Sequence, residues 1–234
     1  MARRRNRTPS QPDHAEDNRA GGFRFAGGFR FASPTLLLTL VALAYVAFVL
    51  LADVFLDRFI ARPMFHGADL FKLTAWFLIP FLFCLPRMDW GYYGIKRWTR
   101  FDYYLMAAAI VLELLAVLAV RFLPTLRDAL PDLRNASVFE FTLWNLSWLI
   151  GWEFMHRYLL LRRLSVSFPR FGWLLIPIYE GAYHLVWPTL LMPAGMVLFS
   201  LIATYWSLKR RNGLLPFLAH LIIECQLTVF LIFA

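Results

Sequence analysis

From residue 34 onward the chain alternates long apolar runs with short polar gaps. About 20 apolar residues in a helix cross a hydrocarbon core, and seven runs of roughly that kind fit the sequence. The run 34–52 carries no charge, and 70–86 is shorter and holds Pro80, so it reads as tilted or partly re-entrant. The runs 103–123, 138–164 and 171–187 carry Glu113, then Glu153 with Arg157, then Glu180 with His184. Beyond Pro188 and Pro193 a sixth run reaches Leu208, and a seventh occupies 213–234. The expected fold is all-α, a polytopic membrane bundle of about seven transmembrane helices over residues 33–234.

Residues 1–32 break that pattern. They are polar and basic, with Arg3, Arg4, Arg5 and Arg7, and they end in a perfect duplication of Gly-Gly-Phe-Arg-Phe-Ala at 21–26 and 27–32. A disordered tail is expected, with Phe and Arg resting on the membrane surface or docking a partner or anionic lipid. No small-residue cleavage pattern follows the first apolar residues, so a removed signal peptide is not expected.

Composition agrees with the hydropathy pattern, since 60% of residues are hydrophobic and 18% aromatic, well above an ordinary soluble domain. The net charge of +9 does not point to nucleic acid, because the cations lie in the tail and the gaps rather than on one amphipathic face. They alternate in density along the chain. Seven tail Arg, then Arg87, Lys96, Arg97 and Arg100, then Arg162, Arg163 and Arg170, then Lys209, Arg210 and Arg211 fall on one side. Arg58, Arg62, Arg121, Arg127 and Arg134 fall on the other. The positive-inside rule then expects a cytoplasmic N-terminus and a C-terminus on the opposite side. Cys84 and Cys225 stand alone in apolar runs and form no disulfide or metal pattern.

The candidate chemistry lies in three pairs spaced four apart: Glu153 with Arg157, Glu180 with His184, and His220 with Glu224. Such spacing puts both members on one helix face. Ionisable groups in apolar helices turn inward and pair, and they commonly mark a functional site. Counted from the basic ends at ~1.5 Å per residue, Glu153, Glu180, His184, His220 and Glu224 lie roughly 11–20 Å deep, so one hydrated cavity is expected to hold them. Peptide hydrolysis needs an activated water, oxyanion donors and a proton source, all of which Glu and His supply.

These residues sit in a recognisable order. Gly151 to Leu164, reading Gly-Trp-Glu-Phe-Met-His-Arg-Tyr-Leu-Leu-Leu-Arg-Arg-Leu, resembles the Glu-Glu-x-x-x-Arg motif of the CPBP intramembrane proteases. That family includes prenyl-protein CAAX endopeptidases and bacteriocin-processing proteins. Its second motif, Phe-x-x-x-His, falls on Glu180 to His184, and its third, His-x-x-x-Asn, on His220 to Glu224 after Asn-Gly-Leu-Leu-Pro-Phe-Leu-Ala. The resemblance implies a CPBP-like core over about 138–234. It also implies cleavage of a membrane-tethered or membrane-proximal peptide or lipidated protein without a cofactor, with His184 and His220 as functional imidazoles. Glu153 and Arg157 match the structural pair.

Three positions depart from the family pattern. Trp152 stands where the family has its first Glu, Glu180 replaces the motif Phe, and Glu224 replaces the motif Asn. The expected reassignment makes Glu180 the general base, holding a water with His184, while Glu224 orients His220 and Glu153 stays tied to Arg157. His156 is expected to face away. The alternatives are a non-catalytic relative that binds a peptide, lipid or partner protein, and a zinc site built from His184, His220, Glu180 and Glu224. No HExxH spacing supports the zinc set. A small transporter is a further class, against which stands the lack of a repeated half with broken helices.

Overall fold

The computed structural model describes residues 34–60, 64–94, 98–122, 137–186 and 190–233, all within the unit Pro34–Ala234. The expected tail 1–32, the cations Arg62, Lys96, Arg97, Arg127 and Arg134, and the Arg121 side chain lie outside the described residues. What is described is almost wholly helical. Helix α1 spans Pro34–Phe59, α2 Ile79–Cys84, α3 Arg100–Phe122 and α4 Val138–Glu153. Helix α5 spans Leu161–Ser167, α6 Leu175–Tyr183, α7 Leu191–Arg210 and α8 Leu214–Phe233.

Two seven-residue π-helical stretches, Lys72–Leu78 and Phe154–Leu160, lead into α2 and join α4 to α5. The first explains why Pro80 does not interrupt its segment. Proline removes an N–H and crowds the carbonyl four residues back, and the wider π turn just before it absorbs that misfit. The segment expected to be broken at Pro80 is therefore helical from Lys72 to Cys84, with Pro80 buried in its first α turn.

Helix starts follow local chemistry. Ser137 accepts the Glu140 N–H at 3.4 Å and opens α4 as a Ser-x-x-Glu cap. Asn212 opens α8 by accepting the Leu214 and Leu215 N–H groups, both at 3.0 Å, and donates to the Gly94 carbonyl at 2.6 Å. A two-stranded hairpin, Met64–Phe65 against Ala68–Asp69, turns through His66 and Gly67 at φ 47° and 89°, the positive angles of a tight primed turn. Gly67 also lies against the Glu140 backbone, where a Cβ would come within 2.8 Å of the Cα.

Packing centres on α4 and its π continuation. Val46, Val49 and Leu50 of α1, Trp76, Trp152, Met155, Leu160 and Ile176 form one buried cluster. Helix α4 lies against Lys72–Leu78 and α8, α6 runs along α7, α3 packs on α8, and α1 on α5. The outer surface carries Phe48, Leu51, Phe83, Leu112, Ile178 and Leu198, while Asp53, Asp102, Glu153, Arg157 and Glu180 are inside. Helix α1 is long and apolar enough to cross a membrane, and Leu214–Phe230 forms a shorter apolar helix.

Two contacts give direct tests. A Cβ on Gly151 would sit 2.5 Å from the Trp76 Cβ and 2.9 Å from its backbone carbon, so Gly151→Ala must push the π stretch off α4. We expect a loss of about 1–3 kcal/mol, read as a lower unfolding midpoint in detergent. At the start of α3, Asp102 accepts from Trp206 Nε1 at 2.8 Å, Arg210 Nε at 2.7 Å, and the Thr99 N–H and hydroxyl at 2.7 Å. Burial raises its carboxyl, but the hydrogen bonds from Trp206, Thr99 and Arg210 outweigh it and hold the group below the usual 3.8. A depressed folded-state value means the stabilisation is complete above the unfolded value and is lost as pH falls through the folded one. Asp102→Asn should therefore lower the midpoint at pH 7 and flatten its decline below about pH 4.

Candidate functional site

The six paired residues, with His156, resolve into a closed chain of charges and a separate imidazole. Arg157, in the Phe154–Leu160 π stretch, points its guanidinium at Glu180 of α6. Nη1 donates to Glu180 Oε1, and Nη2 donates to Oε2 at 3.1 Å. Its Nε stands 3.6 Å from Glu153 Oε2, and the other Glu153 oxygen is 2.7 Å from His220 Nδ1. His220 Nε2 faces Glu224 Oε1 at 3.8 Å, and His156 Nδ1 faces Glu180 Oε1 at 3.6 Å. Glu153, Glu180 and His220 are 3%, 0% and 3% exposed, so these groups are matched against one another rather than against solvent.

One cation between two carboxylates leaves an excess negative charge if both are ionised. The His220 Nδ1–H donates to Glu153, and that carboxylate fixes the tautomer. The bidentate Arg157–Glu180 geometry is the strong form of such a pair, and removing one partner of a buried pair strands the other.

The arrangement corrects three expectations. Glu180 does not hold a water with His184, because its carboxylate is taken by Arg157 and only its backbone carbonyl meets the His184 ring, at 2.7 Å from Nδ1. Arg157 keeps the expected tie to Glu153 and adds a closer one to Glu180. His156 does not face away: it is fully buried, its Nδ1 donates to the Trp152 carbonyl at 2.9 Å, and its ring lies 4.5 Å from the Trp152 ring. The candidates do not meet in one wet cavity either, since Glu153, Glu180 and His220 turn into the closed chain. Glu224 does stand at His220, though Glu153 makes the shorter contact. Among the described residues no group of three or more His, Cys, Asp or Glu is arranged to hold a metal.

His184 and Trp152 instead line a chamber of about 1060 Å³. Its wall includes Trp76, Trp144, Trp148 and Tyr183, with Asp53 and Lys72 among its polar groups. Lys72 Nζ is 3.6 Å from Asp53 Oδ2 and lies over the Trp76 ring at 4.8 Å, and the Tyr183 hydroxyl donates to Asp53. The hairpin places Lys72 there, since Asp69 accepts the Lys72 N–H at 3.0 Å while the Asp69 N–H donates to Ser147 at 3.0 Å. The Trp152 ring is 5.6 Å from that of His184. Because a carbonyl accepts at Nδ1, that nitrogen of His184 carries the proton and Nε2 of the neutral ring is an acceptor.

Sequence reasoning passed over Lys72, expected His156 to face away, and made no use of Asp53. A signal for the first and last was available, a lone cation and a lone anion inside adjacent apolar runs. Nothing in the spacing of His156 distinguished it.

Glu180→Gln should lower the folding free energy by about 3–5 kcal/mol, the scale for breaking one side of a buried pair, whereas the half-buried His184→Gln should cost under about 1 kcal/mol. Denaturant titration of both variants in mild detergent checks this. Equal midpoints would mean that Arg157 does not depend on Glu180.

No family model, curated protein or solved structure matches this chain.

Proposed function

We propose that the chain is a multi-pass membrane protein that binds a membrane-proximal peptide or lipidated protein segment in its aromatic chamber without cleaving it. The membrane reading is supported by the outward Phe48, Phe83, Leu112 and Leu198 against an inward set of acids and bases, the polarity lipid demands. Helices of 26, 23, 20 and 20 residues match a hydrocarbon core in length. Alternation of the cations puts the N-terminus in the cytoplasm and the C-terminus opposite, with seven spans.

The observation that carries the binding reading is the Trp152 indole, which is 1% exposed and packed on Tyr183 and His184. It stands where the resembled proteases have their first Glu, so an apolar ring takes the place of the base. Of the remaining carboxylates, Glu180 is engaged by Arg157 and Glu153 by His220, while Glu224 stands 3.8 Å from His220. A general base must reach the proton it takes, and neither Glu180, held by Arg157, nor Glu153, buried between Arg157 and His220, lines the chamber. Several indoles with both signs of charge suit a peptide segment carrying apolar or prenyl groups and a terminal carboxylate.

A second reading, hydrolysis, is favoured by one observation: the His184 tautomer leaves Nε2 as a base in the chamber wall. One experiment separates them. The purified full-length protein in liposomes is titrated with a farnesylated carboxy-terminal peptide, following tryptophan emission, and the peptide is then weighed by mass spectrometry. A saturable emission change with intact peptide is expected, weakened several-fold by Lys72→Gln. Cleavage that disappears in His184→Gln would overturn binding in favour of hydrolysis.

A further inference from the structure

A second concavity lies away from the chamber, between α1, α2 and the end of the Phe154–Leu160 stretch. It has a volume of about 120 Å³ and is walled by Leu38, Val41, Tyr45, Ile79, Phe83 and Leu159. Its one polar phenol is satisfied internally, since the Tyr45 hydroxyl donates to the Ala75 carbonyl. Val41, Ile79 and Phe83 are 55%, 48% and 76% exposed, so the groove opens outward, away from the core.

Among the described residues, the one cation in its lining is Arg163. The Arg163 backbone carbonyl accepts from Thr39, but its guanidinium meets no acidic or hydrogen-bonding partner among the described residues. Its neighbours are engaged: Arg162 donates to the Tyr158 hydroxyl at 2.7 Å, and Arg157 to Glu180. Position along the helices gives the groove a polarity. Arg163, Leu38 and Phe83 lie near the end of their segments that the cation pattern assigns to the cytoplasm. Tyr45, Ile79 and Leu159 lie one to two turns further in, roughly 6–10 Å at 1.5 Å per residue.

We infer that this groove binds an anionic phospholipid of the cytoplasmic leaflet, with one acyl chain along α1 and α2 and the phosphate on Arg163. A planar guanidinium takes two phosphate oxygens at once, and a cation beside apolar surface is stabilised when an anion arrives. Anionic lipids are concentrated in that leaflet. Charge at headgroup level and hydrocarbon below it fit an amphiphile better than a neutral lipid, which would leave Arg163 unmatched. The inference rests on the membrane reading but is independent of what the aromatic chamber binds.

The test is native mass spectrometry of the full-length protein in detergent, with added dioleoyl phosphatidylglycerol or dioleoyl phosphatidylcholine. Phosphatidylglycerol adducts should survive delipidation about tenfold better than phosphatidylcholine adducts. Arg163→Gln should erase that preference, and Val41→Trp, which fills the outer wall, should reduce both adducts. Arg170→Gln, an exposed cation outside the groove, should change neither. Equal retention of the two lipids by the native protein, or an unchanged preference in Arg163→Gln, would overturn the site. Protein that stays monomeric in water without detergent would sink the membrane reading itself, a separate and recognisable failure.

Discussion

The fold turns on one guanidinium. Arg157 sits at the widest part of the central helical segment and is held by Glu180 of α6 on one side and Glu153 on the other. Glu153 in turn fixes His220, so three segments remote in sequence are joined through one cation. In an apolar interior such charges persist only as a matched set, because each one stranded alone carries its full desolvation cost. The set therefore specifies which faces of α4, α6 and α8 must meet, whatever it adds to stability.

The same matching turns two carboxylates away from the chamber. Glu180 faces Arg157, Glu153 faces Arg157 and His220, and neither is part of the chamber wall. Two of the candidate acids, Glu153 and Glu180, thus join helices to one another. What remains toward the chamber is aromatic surface, the Lys72–Asp53–Tyr183 group, and one imidazole nitrogen. Shape and adhesion are the strengths of such a wall.

Polar anchors at the helix ends complete the design. Asp102 gathers Thr99, Trp206 and Arg210 so that α3 and α7 share one end. Asn212 caps α8 while holding the Gly94 carbonyl, and so sets the height of His220 two turns later. Close approach matters as much as hydrogen bonding: Gly151 lets Trp76 reach the wall beside Trp152, and Gly181 lets α6 lie against Val197.

Much of this was legible in the residues alone. The apolar runs marked where helical segments lie, because burial is written in local composition, but α1 continues to Phe59 rather than 52 and the run 138–164 divides into α4, a π stretch and α5. The four-residue spacing of Glu153 with Arg157 and of His220 with Glu224 put each pair on a shared face, as the contacts have it. The partners across helices were not legible. Spacing says which way a side chain points on its own helix but not which helix stands opposite, so Arg157 looked committed to Glu153 and Glu180 to His184. His156 was expected to face away, but the π turn, a tertiary compromise, carries it inward with Arg157. Sequence determined where the charges lie along each helix; only the packed structure decided which met, because opposite charges in an apolar interior choose partners by proximity across helices.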